Sequence, residues 1–216
     1  MNDVIEFLPA LLSGAALTVG LTIASMAIAL VLGLLIALGR MSPIGPVRWA
    51  MAIYVDFIRG TPLLLQLFYI YYVLPYLGIY IPALMAGILG LSLNYAAYLS
   101  EVYRSAISAI GKGQVEAACS LGMRPTPIFI LVVLPQALRI AVPPIGNYFI
   151  SMFKDTALVA VISVNELMFT ADQIASTTYK YLEVYTAAFV IYFIVSYPAS
   201  MLVLKIEDRM KRAPAG

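Results

Sequence analysis

Three stretches of this chain carry no charged residue at all: residues 7–39, 60–100 and 184–204. A helix of about 20 apolar residues crosses the hydrocarbon layer of a bilayer, so each stretch is long enough to span, and 60–100 is too long for one span. Hydrophobic residues make up 62% of the 216 and charged residues 11%. Soluble domains run near 45–50% and about 25%. One core of this size cannot hide the excess, which predicts an all-α integral membrane protein.

Punctuation divides the chain into spans. Arg40 ends the first apolar run, and Met41-Ser42-Pro43-Ile44-Gly45-Pro46 is a turn cluster. Pro75, Gly78 and Pro82 split the long middle run. Five transmembrane helices are expected, near residues 8–39, 47–77, 82–107, 140–164 and 184–205. Residues 111–138 form a loop, 165–183 a more polar segment with a short helix near 165–175, and 206–216 a tail. The N-terminus offers Asp3 and Glu6 in place of a basic leader, and the first run is too long for a signal peptide, so that span is expected to be retained. Lys and Arg gather on one side: Arg40, Arg48, Arg104, Lys112, Arg124, Arg139, Lys205, Arg209, Lys211 and Arg212. The positive-inside bias then puts the N-terminus outside, and the 111–138 loop and the C-terminus in the cytoplasm.

The same inventory excludes several functions. There is no histidine and only one cysteine, so imidazole catalysis, an internal disulfide and multi-cysteine metal sites are absent. No metal site or catalytic residue is assigned, and the chain is read as a non-enzyme. A net charge of +2 with dispersed basic residues gives no nucleic-acid surface.

Residues 114–137, QVEAACSLGMRPTPIFILVVLPQA, look built to be held by another protein. Gly113 precedes a short helix, Gly122 stands where a C′ glycine would end it, and Pro125 blocks continuation. A rod of about eight residues, roughly 12 Å long, is too short to be stable alone. Ala117, Ala118, Cys119 and Gly122 would let a partner approach closely. Glu116 suits the helix N-terminus, and Arg124 lies past the far end.

Charges inside the spans are the candidates for a substrate path. Lys154 and Asp155 fall near the middle of the expected fourth helix, where each costs about 2.5–3.5 kcal/mol on insertion scales. They point about 100° apart on a helix. Either Lys154 attracts a substrate carboxylate while Asp155 pairs across helices, or Asp155 meets a substrate amine; a purely structural ion pair is the plain alternative. Glu101 and Arg104 have the spacing of an intrahelical pair that supports packing. Asn94 lines a polar path or bonds a neighbouring helix. Arg59, before Gly60-Thr61-Pro62, and the carbonyls freed there serve a site or a neighbouring subunit. Tyrosines 69, 71, 72, 76 and 80 read as an interfacial belt.

The 114–137 stretch resembles the EAA loop of permease subunits in ATP-binding-cassette importers. Glu116-Ala117-Ala118, Gly122, Val133 and Leu134-Pro135 stand at that family's spacing. Pro135-Gln136-Ala137-Leu138-Arg139 is similar to its polar amino-acid branch, the histidine/glutamine/arginine permease-like group. Asp56 to Leu63 resembles Glu-x-x-Arg-Gly-Thr-Pro-Leu, with Asp56 for the usual Glu. Ala97 to Arg104 resembles Ala-Tyr-x-Ala-Glu-x-x-Arg, with Ser100 for Ala. Pro144-Ile145-Gly146-Asn147 and Lys154-Asp155-Thr156-Ala157-Leu158 match the fourth-helix pattern.

The resemblance implies a type I importer permease fold in a bacterial cytoplasmic (inner) membrane. It implies a second permease subunit, identical or homologous, two ATPase subunits and an extracytoplasmic solute-binding protein that delivers a polar amino acid. Gly111-Lys112-Gly113 is no phosphate-binding loop, so ATP and Mg2+ belong to the ATPase partner, and no cofactor is expected in this chain. Glu116, Ala117, Ala118, Gly122 and Arg124 are the implied coupling residues. A secondary amino-acid transporter is the alternative, but no internal repeat supports it. A membrane enzyme lacks a catalytic inventory, and a channel lacks a charged-ring pattern.

Overall fold

The computed structural model describes residues 2–212. Residues 213–216 of the expected tail lie outside the described residues, as do the side chains of Asp3, Lys211 and Arg212 used in the charge count. Among the described residues all regular structure is helical. The long helices are α1 (Asn2–Arg40), α4 (Ala83–Ser108), α7 (Leu134–Asp155) and α9 (Tyr181–Arg212). Shorter ones connect them: α2 (Gly45–Arg59), α3 (Leu63–Phe68), α5 (Lys112–Ser120), α6 (Pro125–Pro127) and α8 (Leu167–Thr178). Among the described residues, four stretches are long and apolar enough to cross a membrane: Glu6–Arg40, Ala83–Ser108, Pro125–Ile162 and Tyr181–Met210. A fifth span results if Gly45–Arg59 and Leu63–Leu77 count as one, bent by 104°.

The expected fifth helix runs on to Arg212 and so takes in most of the expected 206–216 tail, and two further elements differ from the sequence expectation because of proline. The expected second helix, 47–77, is broken at Gly60-Thr61-Pro62. The fourth begins at Pro125 and not near 140, so it absorbs the second half of the 111–138 loop. Pro125 sits at the first helical position, where its missing N–H costs nothing. Further on, Pro135 should clash with the carbonyl of Leu131, yet the helix continues. Residues Ile128–Val133 form a wider π-type turn over that carbonyl. Tyr69–Val73 does the same ahead of Pro75, over the carbonyl of Tyr71. Asp155 then leads into a tighter 3-10 turn, Thr156–Ile162.

Small residues bring the spans together. α1 packs most closely on α4, where Ala29, Ala96, Ala97 and Ser100 are all buried. A Cβ on Gly33 would stand 2.9 Å from Leu99 Cβ and 3.1 Å from the Ala96 carbonyl, so only glycine fits there. A second cluster joins α1, α8 and α9 through Leu11, Ala15, Leu167, Ala171, Ala175, Val184 and Ala188. Within it lies Glu166, fully buried. Its carboxylate accepts from Phe169 N–H at 2.7 Å and from Tyr192 Oη at 2.9 Å. It thereby caps α8 and ties it to α9.

Candidate translocation site

The bend between α2 and α3 opens the site. Proline at 62 leaves the last carbonyls of α2 without their helical partners. Thr61 Oγ1 donates to Phe57 O at 2.9 Å, and Gln66 Nε2 donates to Ile58 O at 2.9 Å and to Thr61 Oγ1 at 2.8 Å. Asn94 Nδ2 of α4 in turn donates to Gln66 Oε1 at 3.0 Å. The freed carbonyls of Phe57 and Ile58 are thus satisfied from within the chain, and a charged side chain, Arg59, is what the bend presents.

Arg59 lines a cavity of about 530 Å3 together with Asn94, Tyr95, Tyr98, Tyr148 and Asp155. α4 supplies one wall and α7 the other. Tyr148, Ser151 and Asp155 are spaced three and four apart, which puts them on one face of α7. Tyr95 Oη donates to Asp155 Oδ2 at 2.6 Å, clasping the two helices. The Tyr148 ring meets Tyr95 edge-on at 6.2 Å and Tyr98 at 5.7 Å. The Arg59 guanidinium lies over the Tyr98 ring, 5.5 Å from its centre, within cation–π range. The cavity is therefore amphoteric: a carboxylate on one wall, a guanidinium at the bend and aromatic faces between them.

One helical turn beyond Tyr98 lies an ion cluster. Glu101 forms the sequence-expected pair with Arg104, at 2.8 Å and 3.1 Å to Oε2, and also meets Arg40 of α1 and Arg59 of α2 at Oε1. Lys154 is not part of the cavity. It lies in a separate groove with Tyr192 and Phe193 of α9, because adjacent residues on α7 face different ways.

The loop helix α5 has the expected stop. Gly122 adopts φ +74°, Gly122 N–H donates to Cys119 O at 2.9 Å and Met123 N–H to Ala118 O at 3.2 Å. Together these form a Schellman cap. Glu116, Ala117, Cys119, Gly122 and Arg124 are exposed. Ala118 is not: at 5% exposure it packs inward with Ile128 and Val133. It anchors the helix to its own chain and offers no face to a partner. Leu121, at 82%, is the apolar residue left projecting from the tip.

The family described as binding-protein-dependent transport system inner membrane component matches residues 29–212. The chain belongs to this family.

Among curated relatives, the permease is 40% identical over 208 residues to the L-cystine transport system permease protein TcyB of Bacillus subtilis, covering 96% of this chain and 89% of that protein. It is 38% identical to the arginine transport system permease protein ArtQ of the same organism, with 94% of each covered. Against the glutamine transport system permease protein GlnP of Escherichia coli the figure is 34%, again with 94% of each covered. A crystal structure of an amino acid ABC transporter with histidines superposes with a TM-score of 0.91 at 40% identity, over 96% of this chain and 97% of that one. An inward-facing MetNI methionine transporter shares the fold, with a TM-score of 0.78 at 22% identity. The protein is thus an amino-acid ABC transporter permease with the type I fold, a multi-pass membrane protein and a transport permease subunit.

Of the permease's sequence-derived path residues, Arg59, Asn94 and Asp155 meet at one cavity, Glu101 lies next to it and Lys154 stands apart. Sequence reasoning missed Tyr95, Tyr98 and Tyr148, having weighed only the tyrosines of 69–80. The signal was present: Tyr95 and Tyr98 are three apart beside Asn94, and Tyr148 is two turns before Asp155. It also missed Gln66, whose role depends on a backbone break that sequence marks only as Pro62.

Proposed function

We propose that this permease passes a polar amino acid through the Arg59–Asp155 cavity as one membrane half of an ATP-driven importer. The amphoteric cavity carries this reading. Cystine, arginine and glutamine, named for the relatives, differ in side chain but share an α-ammonium and an α-carboxylate. Asp155 has one oxygen engaged by Tyr95, leaving acceptor capacity for the ammonium, and Arg59 suits the carboxylate. Asn94 holds Gln66 and with it the bend.

A second permease subunit completes the pathway, and a solute-binding protein delivers the substrate from outside the bacterial inner membrane. Two ATPase subunits bind ATP and Mg2+ on the cytoplasmic side. The N-terminus faces outward and the α5 loop inward, by the distribution of Lys and Arg. The exposed side of α5, with Glu116, Ala117, Gly122, Arg124 and the projecting Leu121, docks in the ATPase and transmits its closure through α6 and α7. The test is reconstitution of the permease with its ATPase and binding protein in liposomes. Amino-acid uptake that requires ATP, and that falls sharply in Asp155→Asn, supports the reading. Uptake without ATP, driven by an ion gradient, replaces it with a secondary transporter.

A further inference from the structure

Glu101 is one carboxylate facing three guanidiniums, and it does not hold them equally. Its Oε2 is taken by two N–H donors of Arg104, and its Oε1 by a hydrogen bond from Arg40. Arg59 approaches the same Oε1 only to 3.5 Å, beyond an ordinary N–H···O distance, and is 44% exposed. Among the described residues, Glu101 is the acid paired with all three arginines, so the cluster keeps a surplus of positive charge. Arg59 also differs in position, since it lines the cavity while Arg40 and Arg104 do not. The side chain that reads the cavity is therefore the one Glu101 grips least.

We infer that Glu101 is a positioning residue that competes with the substrate's carboxylate for Arg59. In the empty site, Glu101 draws the guanidinium toward the ion cluster. A bound amino acid offers a second carboxylate and captures it, sharing Arg59 or taking it over. When the substrate leaves, Glu101 recovers Arg59 and the site resets. No bond is made or broken, and the hand-over exchanges one ion pair for another. This step rests on the proposed amino-acid cavity and adds to it a reason for three arginines to converge on one acid.

The competition has a sign that a scaffold role lacks. Removing the competitor tightens binding, and strengthening it weakens binding. Glu101→Gln is expected to raise the affinity about 2- to 5-fold, the scale of a partly exposed ion pair. Arg104→Gln frees Oε2 for Arg59 and is expected to lower affinity by a similar factor. The amide of the substrate, which has no carboxylate, is expected to bind both variants as it binds the parent.

The measurement is equilibrium binding to the detergent-solubilised permease–ATPase complex. L-cystine, L-arginine and L-glutamine are the probes, each beside its α-amide, which for cystine is the diamide. Opposite shifts for the free acid and none for the amide support the hand-over. Equal shifts for acid and amide, or a parent-like acid preference in both variants, overturn it while leaving the cavity reading intact. Loss of assembly in Glu101→Gln leaves Arg104→Gln, at a half-buried position, to decide by its direction. Binding of none of the three amino acids removes the cavity reading and the hand-over with it.

Discussion

Tyr95 Oη reaches Asp155 Oδ2 across 2.6 Å, and this one hydrogen bond closes the cavity wall between α4 and the end of α7. It engages one oxygen of the carboxylate, whose residue lines the cavity. Tyr95→Phe removes a bond to a charged group, worth about 1.5–3 kcal/mol, so a drop in apparent affinity of about 10-fold is expected. Asp155→Asn is expected to lose more, because it also removes the charge. Uptake kinetics in liposomes check both.

Lys154 makes the complementary control. It neighbours Asp155 in sequence but lies in the groove beside Tyr192 and Phe193. Lys154→Met is expected to leave equilibrium amino-acid binding within about 2-fold of the parent, less than the effect of one hydrogen bond. A binding loss equal to that of Asp155→Asn, measured in the same complex, would return Lys154 to the path.

Gln66 is expected to be intolerant of an isosteric apolar change. Gln66→Leu strips donors from Ile58 O and Thr61 and an acceptor from Asn94. A buried polar group left unpaired costs about 1–3 kcal/mol, so the melting temperature of the complex should fall together with uptake. Unchanged thermal unfolding in detergent would show that the 104° bend stands without Gln66.

Gly122 holds φ +74°, a region that costs an ordinary L-residue about 1–2 kcal/mol. Gly122→Leu is expected to spoil the Schellman cap and uncouple ATP hydrolysis from transport. Gly122→Asn, better tolerated at this angle, should retain coupling. The readout is amino acid imported per ATP hydrolysed; a normal ratio in Gly122→Leu would count against the cap's role in transmission.

Glu166 lies between the spans, and burial pushes its carboxyl above the usual value, outweighing the bonds from Phe169, Tyr192 and Thr18. A raised carboxyl makes the folded state bind protons more tightly than the unfolded state. Its contribution to stability is present at acid pH and declines as pH climbs from the ordinary carboxylate value through the raised one. Glu166→Gln is expected to flatten that decline. Melting temperatures of parent and variant between pH 4 and 8, roughly the window in which a raised carboxyl titrates, should diverge if so. Parallel curves would show that the group does not titrate on folding.

The membrane class, the apolar spans, the family and the stop of α5 were legible in the chain because each depends on local facts. A charge-free run has one way to meet a bilayer, and a glycine after a short helix has one common geometry. Pro62 marked the bend, and Lys154 and Asp155 marked an expensive depth. The tertiary structure decided which of those charges share a space. Asp155 meets Tyr95 and Arg59 across a cavity, Lys154 turns to α9, and Glu101 gathers Arg40, Arg59 and Arg104 from three helices. It also kept α6 and α7 running through Pro135 by widening one turn. These outcomes depend on the rotation of one helix about its axis relative to another, which close packing such as Gly33 on Leu99 fixes. Spacing within a helix says which residues share a face; only the assembled bundle says what that face meets.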